Sequence, residues 1–409
     1  MGGVTNLSQL PAAYIDDPHA VHDLLRAEGP VQEIYLVHGL KVWLVTRYEE
    51  ARVALTHPSI SKNMAQGGWL FEHHTRGGSD RREVAADLAT HMLNSDPPEH
   101  ARLRKLVNKA FTPRRVEMLR PRVEEITKRL LDDMMLDEMN GEGQVDLLDV
   151  FAFPLPITVI CELLGIPTDD RDSFREWTTT LLSFNPVEVI RKASEEATAY
   201  LYAHVAKKRM EPGDDIFSAL VHADDAGDQL SEREIVSMAF LLLVAGHETT
   251  VNLIGNAVLA LLRNPEQLQL LKDDPDLIAP SAEEFLRYEG PINLATFRYT
   301  TEPTEIGGVT IPADELVMVS LIAANRDGER FSEPDRLDVT RNAGGHLAFG
   351  HGIHYCLGAP LARLEFEVAL KGLLARFPDV ELAAAPQQLG WRDSSLIRGL
   401  ITLPVRLNP

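Results

Sequence analysis

FGHGIHYCLG, residues 349–358, strings glycines around Cys356 and delivers it just ahead of a helix opened by Pro360. A thiol at a helix N-terminus meets the positive end of the backbone dipole, which favours the anionic sulfur that binds metals. Pro360 suits the first helical turn, where its missing N–H has no partner to lose. Gly350, Gly352 and Gly358 permit positive φ and let the backbone approach a flat, bulky group. His346, His351 and His354 stand close by, so a zinc site is an open alternative at this point. A phosphate fingerprint is not: Tyr355 occupies the place of the third glycine, and no β-branched strand leads into the loop.

A second signal lies in Ile235–Leu262, an apolar run as long as a membrane span but broken at its centre by AGHETT, residues 245–250. Ser231 as N-cap and Pro265 beyond the end predict one buried helix crossing a large domain. A mid-helix threonine commonly returns its hydroxyl to the carbonyl four residues back, here that of Ala245. Turned toward a ligand instead, Thr249 frees that carbonyl and leaves a local widening able to hold water. Gly246 leaves room for a flat molecule beside the helix. Taken alone, Glu248 and Thr249 leave open a second reading, a polar cluster satisfied within the fold.

Elsewhere helical patterns dominate. Alternation marks strands at Val31–Val45 around His38-Gly39, at Glu305–Leu321 around Gly307-Gly308 and Pro312, and in a terminal run, Leu396–Val405. No repeat or linker divides the 409 residues, so the expected architecture is a single, mainly α domain spanning 1–409 with a small β-rich lobe. The chain is 44% hydrophobic and 25% charged, ordinary for a globular core. A net charge of −21 argues against nucleic acid and anionic lipid as partners. Two cysteines build no disulfide framework, and Cys161 in LPITVICELLG reads as a small buried hydrophobe. The first residues show neither a signal peptide nor an anchor helix, so a cytoplasmic enzyme is expected.

The cysteine loop and AGHETT together resemble the cytochrome P-450 family of haem-thiolate monooxygenases in its bacterial form, and the resemblance covers nearly the whole chain. It implies the cytochrome P-450 fold and a haem b whose iron takes Cys356 as axial ligand, the sulfur's electron density favouring O–O cleavage. Ala245, Gly246, Phe349 and Gly358 would flank the macrocycle. His100, Arg104, Arg298 and His354 would pair with its two carboxylates, which need neutralising if buried. Glu248 and Thr249 would form the acid-alcohol pair that passes protons to oxygen. Glu284 and Arg287, three residues apart on one helical face, would be joined by Arg336 of PDRLD to pin the cysteine-bearing region.

Family topology also places a substrate pocket along Met64–Leu93, with Leu93 itself. The pocket continues along the central helix at Phe240, Leu243, Val244 and Ala245, at Ile292, Asn293, Leu294 and Ala295, and at Ser395, Leu396 and Ile397. The implied reaction inserts one atom of dioxygen, by hydroxylation or epoxidation, into a mainly apolar small molecule such as a polyketide, macrolide or steroid-like compound. Residues 101–116 carry Arg102, Arg104, Lys105, Lys109, Arg114 and Arg115 with no acid. By resemblance to soluble bacterial members that face docks a ferredoxin, itself reduced by an NAD(P)H-dependent ferredoxin reductase, onto a monomer. The competing reading is a haem-thiolate sensor without turnover, which would have no need of Thr249.

Overall fold

The computed structural model describes residues 5–6, 11–36, 39–75, 86–140, 143–183, 185–225 and 228–408. His38 and residues 76–85 of the expected pocket loop lie outside that set. The principal helices are α1 (Glu99–Ala110), α2 (Arg120–Asn140), α3 (Pro154–Leu164), α4 (Arg171–Leu182), α5 (Val187–Met210), α6 (Glu232–Arg263), α7 (Ile278–Glu289) and α8 (Ala359–Arg376). The main sheet is built from β1 (Thr5–Asn6), β2 (Val31–Tyr35), β3 (Lys41–Val45), β4 (Ile60–Ser61), β5 (Arg298–Thr300) and β6 (Leu316–Val319). Its order is β1-β2-β3-β6-β5-β4.

Helix α6 is the beam of the molecule. Ser231 caps it in a reciprocal box: its hydroxyl accepts the Glu234 N–H at 3.3 Å, and its own N–H donates to Glu234 Oε2 at 2.7 Å. It stops at Arg263, before Pro265. Over its 32 residues it is long and apolar enough to cross a membrane. Here that apolarity is spent on core packing, since α6 lies against α3, α5, α7 and α8 and runs through the largest hydrophobic cluster.

Both expected strand regions form. β2 and β3 pair antiparallel from Val31 with Val45 to Tyr35 with Lys41. A hairpin of Thr304–Ile306 and Val309–Ile311 turns on Gly307 (φ 59°) and Gly308 (φ 77°), the two positive-φ positions of a tight primed turn. β6 then joins the main sheet parallel to β3 and antiparallel to β5. The terminal strand is shorter than the sequence implied. It starts at Pro404, because residues 391–400 curl into a loop closed by Arg392 N–H to Gly399 O at 2.9 Å. Ser394 Oγ caps that loop, accepting the N–H groups of Leu396 and Ile397 at 3.3 and 3.1 Å.

Candidate active site

Cys356 sits where the glycine loop hands the chain to α8. Gly350 and Gly352 each take φ of 73°, and the Cys356 N–H closes the loop on Phe349 O at 2.9 Å. Gly358, at φ −80°, needs no left-handed freedom; a Cβ there would stand 3.9 Å from the sulfur, so its value is closeness rather than φ. The thiol is accessible, whereas Cys161 is buried. Although the residue reaches solvent, the atoms packed round the sulfur push the Cys356 thiol up, against the N–H groups of Gly358 and Ala359 and the charges of Arg104 and Arg363. A bound cation would deprotonate its ligand thiol outright.

Phe349 supports the loop from beneath, with the Arg363 guanidinium 4.6 Å from its ring centre. Arg363 grips Glu283 through both carboxyl oxygens, one at 2.9 Å, and His346 bonds the same group at 3.0 Å. The zinc alternative ends here. His346 is committed to Glu283, the His354 ring faces His100 at 4.3 Å between centres, and no metal-sized cluster of His, Cys, Asp or Glu occurs among the described residues.

Around that ring pair gather the other expected cations. Arg104 donates to Tyr355 O at 2.8 Å, and Arg298 to Thr296 O at 3.0 Å. Burial draws Arg298 down to about 10 despite Asp96, and draws His354 down to about 2, helped by Lys62, His100, Arg298 and Arg104. His100 is 3% exposed, and its Nε2 has no hydrogen-bond partner among the described residues. Lys62, which nothing in SISKN flags, lies buried in the same cluster.

On α6, Thr249 Oγ1 donates to Ala245 O at 2.9 Å, the closed form of the motif. Ala245 is exposed although it lies mid-way along a core helix. Glu248 is turned away from that face: Oε2 meets Arg392 at 2.6 Å, Oε1 accepts from Thr178 at 3.4 Å, and His247 Nε2 stands 3.7 Å off. Burial alone would raise the Glu248 carboxyl, but His247 and Arg392 outweigh it and hold it at about 2. Arg392 was invisible from sequence, lying 144 residues away.

Several expected residues are corrected. Gly246 does not face open space, since a Cβ there would lie 2.7 Å from the Ile160 side chain, so the glycine lets α6 approach α3. Leu243 is fully buried on the opposite face, and the accessible stripe runs through Phe240, Leu241, Val244, Ala245 and Thr249. Leu294 points into the core of the β-rich lobe at 1% exposure. Asn293 and Ala295 are buried too, Ala295 in a hydrophobic cluster of the β-rich lobe, while Ile292 is half-buried. Ile292 bridges Ile397, and Asn293 N–H meets Leu396 O at 2.8 Å. Leu93, Ser395 and Leu396 are half-buried.

The Glu284 pair is fully buried: Arg287 meets its carboxylate at 2.6 and 2.9 Å. The third arginine is Arg341, at 3.2 Å from Glu284, and not Arg336. Arg336 offers only its carbonyl, to Arg287 at 3.3 Å, while its side chain is 60% exposed and pairs with Glu333. The basic face also shrinks, because Arg102 is claimed by Glu99, Asp228 and Glu234. Arg114, Arg115 and Met118 stay exposed there, as do Ile353 and Tyr355 of the cysteine loop.

These residues fit haem b: an accessible thiol fed by backbone N–H donors, cations that outnumber the one nearby acid, Asp96, and a His100 nitrogen unpartnered among the described residues. The family profile of cytochrome P-450 matches residues 38–279 and 278–388. Cytochrome P-450 107B1 of Saccharopolyspora erythraea is 53% identical over 99% of this chain and 98% of its own. The vitamin D(3) 25-hydroxylase of Pseudonocardia autotrophica is 47% identical over 96% of this chain and 94% of its own. The tirandamycin C-bound monooxygenase TamI superposes with a TM-score of 0.89 at 49% identity, over 97% of this chain and 98% of its own. A glycine-hinged thiol ahead of α8, a Thr249 poised on α6 and this breadth of likeness make the chain a member of the cytochrome P-450 family, a haem b monooxygenase acting with dioxygen on a small molecule.

Proposed function

We propose that this enzyme hydroxylates or epoxidises a bulky, mainly apolar secondary metabolite of polyketide, macrolide or steroid-like build, as a single-domain cytoplasmic monomer. The observation that carries the reading is the accessible Cys356 thiol held at the start of α8 by the Gly358 and Ala359 N–H groups. Haem b, when bound, supplies the iron at which two electrons reduce dioxygen, one atom going to substrate and the other to water. The chain supplies the proton path and the walls. Thr249 would turn its hydroxyl from Ala245 O toward the cavity, and Glu248 would take up a proton from water and pass it on when its pairing with Arg392 loosens. The names of the vitamin D(3) hydroxylase and of the tirandamycin C complex support a large, rigid substrate. Ile292, Ala295, Val244 and Leu241 would supply its apolar contacts, with Asn293 beside them as a polar group.

Electrons would come from a ferredoxin and its NAD(P)H-dependent reductase, docking where Arg114, Arg115, Met118, Ile353 and Tyr355 are exposed. Thr249→Ala tests the oxygenase reading. Oxygen and electron consumption should continue while product per electron falls about tenfold or more and peroxide appears. Full coupling in that variant would favour the sensor reading.

A further inference from the structure

Lys62 is 2% exposed, and its ammonium has one hydrogen-bond acceptor among the described residues, the hydroxyl of Thr296. An ammonium carries three donors, and burying it against a single neutral acceptor costs several kcal/mol unless an anion is at hand. The nearby acid, Asp96, is already engaged by the Ser61 hydroxyl and by the Lys62 backbone N–H at 3.1 and 3.3 Å. Arg298, 4% exposed, holds the carbonyl of the same Thr296 at 3.0 Å, so the two cations flank one residue. Burial and Arg298 both push the Lys62 ammonium down, with Asp96 opposing them, and its charge reaches His91 and His100. Arg104 answers to the Cys356 sulfur, while Lys62 and Arg298 share the one nearby acid, Asp96, so the cluster holds more cation than anion. Haem b carries two carboxylates.

We infer that Lys62 is a further donor to the haem carboxylates in this chain and, through Thr296, ties that edge of the haem to the substrate-side wall Ile292–Thr296. The inference rests on the haem reading above. A carboxylate of the substrate would offer the same chemistry, but sharing Thr296 with Arg298 favours the haem.

The test compares haem release to excess apomyoglobin from wild type, Lys62→Met and Lys62→Arg, each loaded with haem b or with its dimethyl ester. Lys62→Met should release haem b about tenfold faster than wild type, as expected for a lost charge-assisted bond, and Lys62→Arg at close to the wild-type rate. With the ester, wild type and Lys62→Met should release alike. Lys62→Gln keeps a donor for Thr296 and loses only the charge; it must show the same acid-specific acceleration, which guards against misfolding of the methionine variant. Equal release of haem b, or equal acceleration with the ester, overturns the assignment. So does unchanged haem retention where Lys62→Met abolishes a spin-state shift that lauric acid, used as a carboxylate probe, gives in wild type; that result would give Lys62 to the substrate. A wild-type protein that takes up no haem overturns the functional reading itself, a result visible before any variant is made.

Discussion

Glu284 shows how much one carboxylate can hold. It accepts two bonds from Arg287, one from Arg341 and one from the Asp338 N–H at 3.0 Å, all with no exposure of its own. Arg287 spends its remaining donors on carbonyls of Asn325, Pro334 and Arg336, which stitches α7 to the chain leading toward the cysteine loop. The Glu-x-x-Arg spacing was legible because two residues three apart must share a helical face. Which later arginine closes the trio was not, because it depends on a turn. Glu333 sits at φ 46°, the chain reverses, and Arg336 is left facing outward while Arg341 comes back to the carboxylate. Arg341→Ala should therefore lower unfolding stability by ~1–3 kcal/mol, as loss of a charge-assisted bond to a buried acid. Arg336→Ala should stay within about 0.5 kcal/mol. Denaturant unfolding of both holoproteins checks this, and the reverse ranking would restore Arg336 to the trio.

At the scale of an element, α6 was read correctly in extent and incorrectly in phase. Its cap, its end and its interruption by AGHETT all stand in the sequence. A helix that is apolar on nearly every side has no amphipathic stripe to show which residues face a cavity, so Leu243 and Leu241 could not be told apart. The same blindness misread Gly246, whose missing side chain serves packing against Ile160. Gly246→Ala should force α6 and α3 apart and destabilise by ~1–3 kcal/mol, the cost of overpacking a filled core. Ile160→Ala combined with it should destabilise by less than the sum of the two single changes, since the truncated side chain no longer meets the added methyl. Thermal unfolding of the single and double variants reads the effect; a single variant as stable as wild type would mean that the helices have slack at this crossing.

For the whole molecule, alternation and turn glycines foretold the β-rich lobe, and the mainly helical class followed from pattern. The loop at 391–400 did not. Its residues are apolar enough for a strand, but Arg398 is drawn to Glu289 at 2.8 Å and to Ile15 O at 2.6 Å, and Arg392 to Glu248, so side-chain charges decide the path. Charge distribution also bears on electron supply. In a chain of net charge −21, few cations among the described residues stay exposed on this face, and their attraction for the proposed ferredoxin would act through solvent. If the proposed ferredoxin docks there, its reduction of the protein should slow as ionic strength rises and the screening length falls below about 8 Å. A rate independent of salt would place docking elsewhere.

Every part of the account depends on the bond between Cys356 and the iron of haem. The direct measurement is the absorption spectrum of the reduced protein under carbon monoxide, for wild type and for Cys356→Ser. Wild type should show the strongly red-shifted Soret band of a thiolate ligand, and the variant should lose it. A wild-type band at the position given by a neutral nitrogen ligand, or a band that survives the serine substitution, would contradict it.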